Sequence, residues 1–395
     1  MIEFDERPAQ IGTNIKIFGV GGAGGNAVNT MIDNELQGVE FITANTDMSD
    51  LVKSKAKMKL QLGKKLTRGL GTGANPELGE RSAEESKEEI RSHLEGADMV
   101  FLAAGMGGGT GTGGAPIIAK LAREMGILTL GIVSTPFPFE GHKRQTNAEE
   151  GIRRLSEFVD TLIVIPNLKL CEIFSDLTLL EAFHKADNVL FEAAKAVSDI
   201  INVSGLVNVD FADVKTVMQN MGYALMGTGI SEGENRAVLA AKAAINNPLL
   251  SDINLRGCKA LLINVTAGPD IKMNEFEEVS SVIVNETGSA GNVIMGVIID
   301  PELAGKVSVT IIATGLEYTG ENIVDFPFTP EKETLQPPKK RAVKEPNTEE
   351  DINSIFEILN INKPNTKEND QDEEEEDTPK ISPRTDLPSF LKALD

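Results

Sequence analysis

The chain is poor in several features that would narrow its function at once. Its two cysteines, Cys171 and Cys258, are too few for a disulfide framework and read as small core residues. Its three histidines, His93, His142 and His184, are scattered and form no metal-ligand cluster. Basic side chains are outnumbered: 38 Lys and Arg against 60 Asp and Glu give a net charge of −22. Neutralising a phosphate backbone needs the opposite balance, which excludes a general nucleic-acid binder. No apolar run reaches the roughly 18–20 residues of a membrane helix. The first ten residues carry Glu3, Asp5 and Glu6 and no apolar core, unlike a secretory leader. The expectation is a soluble protein of a reducing compartment, with no direct membrane insertion.

What is present is a large foldable region and a solvated end. With 395 residues, 41% of them hydrophobic, the chain can build two or three domains around sizeable cores. Of 37 glycines, 36 precede residue 320, whereas 9 of 18 prolines lie from 320 onward. That last stretch also holds 19 acidic and 10 basic side chains, including the acidic run 372–377. Such a composition buries too little apolar surface to offset chain entropy, so a disordered linker is expected at 320–383. A transient helix is expected within it at 351–359. Residues 384–395 turn apolar again, which suits either a docking peptide or a frayed terminus.

Before residue 320 the pattern alternates strand and helix. Strands are expected at 14–20, 38–45, 97–104, 127–134 and 161–165, and helices from the glycines after Val20 to Ile32, at 83–94 and at 116–125. This implies an α/β fold with a doubly wound parallel sheet. A long central helix is expected over 178–203, opened by the capping-box pair Thr178 and Glu181. Beyond it, a short helix near Asp213 and apolar segments at 259–265, 292–299 and 307–314 suggest a smaller α/β domain with a mixed sheet.

Two glycine loops sit between strands and helices. Gly19, Gly21 and Gly24 have G-x-G-x-x-G spacing, and the loop runs Gly21, Gly22, Ala23, Gly24, Gly25, Asn26. Such a loop exposes backbone N–H groups to an anion, but the spacing alone also serves dinucleotides. The second loop is more specific: Gly107, Gly108, Gly109, Thr110, Gly111, Thr112 and Gly113 follow the strand at 97–104 and precede a helix expected to open at Pro116. Consecutive N–H donors and two hydroxyls suit a polyphosphate. No G-K-[ST] follows, so it is not a Walker-A loop.

The run GGGTGTG at 107–113 resembles the signature of the tubulin/FtsZ family. The segments NTD at 45–47, LTRGLGTGANP at 66–76, PFEG at 138–141 and NVDFAD at 208–213 resemble that family's bacterial cell-division members more than its tubulins. The resemblance covers about residues 11–317 and the terminal peptide. It implies GTP and GDP as ligands, with residues 21–26 and 107–113 on the phosphates. Gly71, Thr72 and Gly73 would sense the γ-phosphate, and Glu140 and Arg144 would contact the sugar and phosphate side. Phe183 and Asp187 would hold the base. One departure is Ala23, where many relatives have glycine.

Phe183 and Asp187 lie four apart, on one helix face, where a ring can stack on a purine and a carboxylate can accept from guanine's two donors. Without the resemblance, simple core and a solvated charge would be the preferred readings. Asp210 and Asp213 likewise suit helix capping. The resemblance implies a catalytic role for both, reaching the pocket of the next subunit to orient the attacking water. It further implies a GTPase that assembles head to tail into protofilaments of the division ring at mid-cell, in the cytoplasm. Mg²⁺ is expected with the triphosphate, although no all-protein cage is visible and its ligands are unknown. The expected organisation is a GTP-binding domain at 1–177, a central helix at 178–204, an activating domain at 205–319, the linker, and the terminal peptide. In that peptide, Asp386, Leu387, Pro388, Phe390 and Leu391 would engage membrane-tethering and regulatory proteins. The rival readings are a nicotinamide-dependent oxidoreductase and a filament scaffold without turnover. The first leaves the second glycine loop unexplained, and Asp210 and Asp213 argue against the other.

Overall fold

The computed structural model describes residues 12–316, except 175, 204, 208, 251–254 and 289–290. The expected linker and terminal peptide lie outside the described residues.

Ten strands form one sheet: β1 (Ile15–Val20), β2 (Val39–Asn45), β3 (Met58–Gln61), β4 (Met99–Gly105), β5 (Leu128–Ser134), β6 (Thr161–Ile165), β7 (Gly222–Glu232), β8 (Ala260–Ala267), β9 (Asn292–Ile299) and β10 (Lys306–Leu316). Their order is β3-β2-β1-β4-β5-β6-β7-β10-β8-β9. The first seven positions pair in parallel; β10 runs antiparallel to β7 and β8, and β9 is parallel to β8. The doubly wound sheet and the mixed second set are therefore both present. They join through β6 and β7 rather than forming separate sheets.

The helices are α1 (Gly21–Asp33), α2 (Met48–Lys53), α3 (Lys64–Thr67), α4 (Pro76–Glu85), α5 (Lys87–Leu94), α6 (Thr110–Glu124), α7 (His142–Ser156), α8 (Asn167–Ile173), α9 (Leu179–Asn202), α10 (Phe211–Met218), α11 (Arg236–Ile245) and α12 (Met273–Thr287). Side chains alternate across each strand, so one sequence feeds two cores. Ile15 and Ile17 face α1 and α9, meeting Val28, Met31, Val189 and Val197. Phe18 and Val20 belong to the opposite core, with Ile90, Leu94, Ile118 and Leu121 of α5 and α6. A third core joins α11 and α12 to β8 and β10.

Helix α9 crosses from one half of the sheet to the other. Its apolar residues recur every three or four positions, giving one buried stripe that packs against Ile132 of β5 at one end and Leu262 of β8 at the other. The capping box forms as expected: Thr178 Oγ1 accepts from the Glu181 N–H at 3.3 Å, and Glu181 accepts from the Thr178 N–H at 2.8 Å.

Two helix expectations need correction. The helix expected at 83–94 is two helices, broken at Ser86, whose hydroxyl accepts from the Gly63 N–H at 3.0 Å. Helix α6 begins at Thr110, not Pro116, so half of the second glycine loop is helical. Pro116 lies inside the helix and forgoes a backbone bond there.

Candidate functional site

The C-terminal ends of β1, β2, β4 and β5 open onto a cleft of about 580 Å³. The cleft straddles the point where strand order reverses between β1 and β4, where an open α/β sheet leaves a crevice.

Two bare helix ends meet there. α1 has no side-chain cap and no acidic residue in its first turn, and the same is true of α6. By contrast α4, α9 and α10 are capped by Asn75, Thr178 and Asp210. The unsatisfied N–H groups and positive dipole ends of α1 and α6 thus border one cavity, which makes an anion site. Glycine permits the approach. Gly21 has φ +74°, and a Cβ on it would lie 3.0 Å from the backbone nitrogen of Gly111.

The predicted loop residues divide by role. Gly21, Gly22, Ala23, Asn26, Gly108, Gly109, Thr110 and Gly111 line the cleft; Gly24, Gly25, Gly107, Thr112 and Gly113 do not. Gly24 seats α1 on β4, since a Cβ there would fall 2.2 Å from the Ala103 carbonyl oxygen. Gly113 sets α6 against α4, with 2.0 Å to the Pro76 oxygen. Thr112 is turned inward, its hydroxyl accepting from the Gly107 N–H at 2.9 Å. The methyl of Ala23 fits because residue 105 is glycine: a Cβ there would meet it at 2.6 Å.

Gly71, Thr72 and Gly73 line the same cleft. Their loop is fastened by the Met48 N–H to the Gly69 carbonyl at 3.0 Å and by hydroxyl contacts through Thr110. The Thr110 hydroxyl lies 2.7 Å from that of Thr46 and 3.4 Å from that of Thr72. Arg68 and Ala74 hold positive φ, a backbone cost concentrated where the loop turns toward the cleft. Asp47, beside Gly71, is held below the usual carboxylate range by hydrogen bonds from Ser49.

At the other end, Phe183 and Asp187 of α9 reach the lining together. Phe183 meets buried Phe137 edge-on at 5.0 Å, and Phe137 stacks on Phe139 at 5.3 Å. Burial pushes the Asp187 carboxyl up to about 7. Glu140 and Arg144 form an ion pair on the rim, and Glu140 also accepts from the Phe137 N–H at 2.9 Å.

Sequence reasoning missed Asn167. It is 5% exposed, lines the cleft, and its Oδ1 has no hydrogen-bond partner among the described residues. A buried acceptor or donor left open toward a cleft is a ligand contact in waiting. Nothing in the text PNLKL marks it; only the turn from β6 into α8 places it. Asp47 and Asp50 also line the cleft, although their sequence context does not mark them as site residues.

Asp210 and Asp213 are elsewhere. Asp210 caps α10, accepting from the Asp213 N–H at 2.8 Å, and both are exposed; neither lines the cleft. No group of three or more His, Cys, Asp or Glu among the described residues is arranged to hold a metal ion. No helix among them is long and apolar enough to cross a membrane.

Comparison with known proteins accords with this geometry. Residues 14–175 match the family model for the tubulin/FtsZ GTPase domain, and residues 222–317 match the model for the FtsZ C-terminal domain. The cell division protein FtsZ of Pseudomonas aeruginosa is 54% identical over 317 residues, covering 80% of each chain. That of Coxiella burnetii is 46% identical over 380 residues, covering 91% of this chain and 97% of its own. Among solved structures, an empty FtsZ dimer of M. jannaschii is 41% identical with a TM-score of 0.75, covering 79% of this chain and 95% of that one.

Proposed function

The chain belongs to the tubulin/FtsZ family and carries its GTPase domain, and from that premise we propose that it is a division protein whose active site is completed by the next subunit of a filament. It binds GTP and GDP, hydrolyses GTP and self-assembles. Residues 1–177 form the GTP-binding domain, 178–204 the central helix and 205–319 the activating domain.

The observation that carries this reading is the pairing of bare helix ends at one cleft with an aspartate pair outside it. The N–H groups at 21–23 and 108–111 receive the phosphates. Thr72 and its neighbours contact the γ-phosphate, and the Glu140–Arg144 pair borders the sugar. Phe183 stacks on guanine, while Asp187 and Asn167 bond its edge. The cleft's own carboxylates beside the phosphate loops, Asp47 and Asp50, are taken up with the metal, which leaves the attacking water to be positioned from outside. Asp210 and Asp213, exposed on α10, position it in the neighbouring subunit's cleft. Their carboxylates accept hydrogen bonds from the attacking water and hold it in line with the γ-phosphorus. A contact of this head-to-tail kind does not close on itself and makes a filament.

Magnesium would neutralise charge on the triphosphate. Asp47, beside Gly71, and Asp50, with an oxygen 3.5 Å from the position of a Cβ on Gly22, are the carboxylates placed to help the phosphates hold it. The sparse donor set fits an ion that arrives with the nucleotide rather than one caged by protein. The ring at mid-cell is the expected location, and residues 384–395 the docking peptide for tethering and regulatory partners. Light scattering with GTP, GDP and a slowly hydrolysed GTP analogue tests the reading: assembly with GTP and the analogue but not GDP is expected, and assembly indifferent to nucleotide would overturn it.

A further inference from the structure

A lysine-rich segment of this acidic protein runs along the edge strand of its sheet. Residues 53–65 contain six lysines and no acidic residue, in a chain of net charge −22. Among the described residues, strand β3 ends the sheet and pairs with no strand but β2, so its other edge is open to a further strand, with only the Gln61 carbonyl engaged by a side chain, the Ser86 hydroxyl at 3.5 Å. Lys53, Lys55 and Lys64 are paired with Asp50, Asp33 and Glu89. Lys57, Lys59 and Lys65 make no ion pair among the described residues. Two grooves border the strand. One of about 600 Å³ is lined by Ile32, Leu36, Phe41, Lys57 and Met58, together with Glu35 and Glu40, the latter already engaged by Lys16 at 3.5 Å. The other, of about 380 Å³, is lined by Val52, Lys59, Gln61 and Lys64.

We propose that the edge of β3 docks an extended acidic peptide, and that residues 372–377 (DEEEED) of a neighbouring copy are such a segment. An added strand gains main-chain hydrogen bonds from the open edge, while alternate side chains reach the lysines and grooves. The occupant is a peptide rather than a nucleic acid or an anionic membrane, because neither of those pairs with a strand edge. The run 372–377 holds six acidic residues without a base and is carried at high local concentration wherever copies assemble. This inference rests on self-assembly for its setting, but not on GTP hydrolysis. Docking would join filaments side by side, and salt would loosen it.

The test uses full-length protein in GDP and a fluorescent peptide of residues 368–380, read by anisotropy at low salt. The receptor carries residues 372–377 neutralised to Asn and Gln, so that its own run does not compete. Binding is expected. It should weaken by at least about tenfold in a further variant carrying Lys57→Glu, Lys59→Glu and Lys65→Glu. A lysine-substituted peptide should regain binding to that variant. Unchanged affinity in the triple variant would overturn the proposal. So would equal binding of a proline-interrupted peptide of the same charge, which cannot pair as a strand, or equal binding of duplex DNA or anionic vesicles. GTP turnover, measured on the same variants, is expected to be unchanged and separates failure of this inference from failure of the GTPase reading.

Discussion

Gly109 and Thr72 lie so close that a Cβ on the glycine would fall 2.1 Å from the threonine hydroxyl oxygen. The same Cβ would stand 2.8 Å from the Asn75 carbonyl oxygen. The loops at 107–109 and 72–75 therefore rest on each other, and a change in one is felt in the other. Substituting Gly109 would displace the 71–75 loop as well as crowd the ligand.

Gly108 separates these effects. It lines the cleft, yet a Cβ built on it meets no atom within 4 Å. Gly108→Val should therefore fold normally and weaken GTP binding by about tenfold or more, since its side chain projects where phosphate would sit. Fluorescent-GTP titration alongside a thermal melt checks this. Normal affinity in a folded variant would remove this loop from the phosphate site.

Nucleotide affinity should depend on pH through Asp187. Its carboxyl is pushed up to about 7 by burial. Only the ionised form accepts from both guanine donors, so binding favours loss of the proton. Affinity should be at its plateau above pH 7 and fall by about tenfold per unit below it, the slope of one linked proton. Asp187→Asn should bind more weakly and flatten the profile. GDP titrations between pH 5.5 and 8.5 avoid the complication of assembly, and a flat wild-type profile would contradict the base assignment.

Removal of residues 384–395 should leave turnover and GTP-dependent assembly near normal in purified protein, because no cleft residue is lost. Ring localisation in cells should disappear. A truncated protein unable to polymerise would contradict the docking-peptide role.

Much of the site was legible because its chemistry is local. The glycine loops, the loop at 71–73, and the pair Phe183 and Asp187 all stand in short stretches of text, and the structure brings them to one cleft. Asn167 was not legible, since its role comes from burial and an open Oδ1 rather than from any neighbour in sequence. Thr112 and Gly113 looked like ligand groups but serve the protein's own packing, which depends on contacts with Gly107 and Pro76. In the fold, β7 went unseen because Gly227 and Gly229 interrupt its apolar pattern. They are there for α11: a Cβ on either would lie 2.2 Å from a carbonyl oxygen of that helix, at Ala244 and Ala240. Strand β3 was missed because it is only four residues long, too short for the alternation of Met58 and Leu60 with Lys59 and Gln61 to stand out among the flanking lysines.

The shared active site is tested most directly by mixing Asp213→Ala with wild-type protein above the assembly threshold and measuring phosphate release at each ratio. Asp213 is the cleaner choice, because Asp210 also caps α10 and its loss would cost about 1 kcal/mol of stability. Asp213→Ala alone should bind GTP normally, assemble, and turn over about a hundredfold or more slowly, so that its filaments persist. In mixtures, each mutant subunit should silence a neighbour that is itself intact, so turnover per wild-type subunit should fall as the mutant fraction rises. A rate strictly proportional to the amount of wild type would mean that each subunit completes its own site, and would contradict the account.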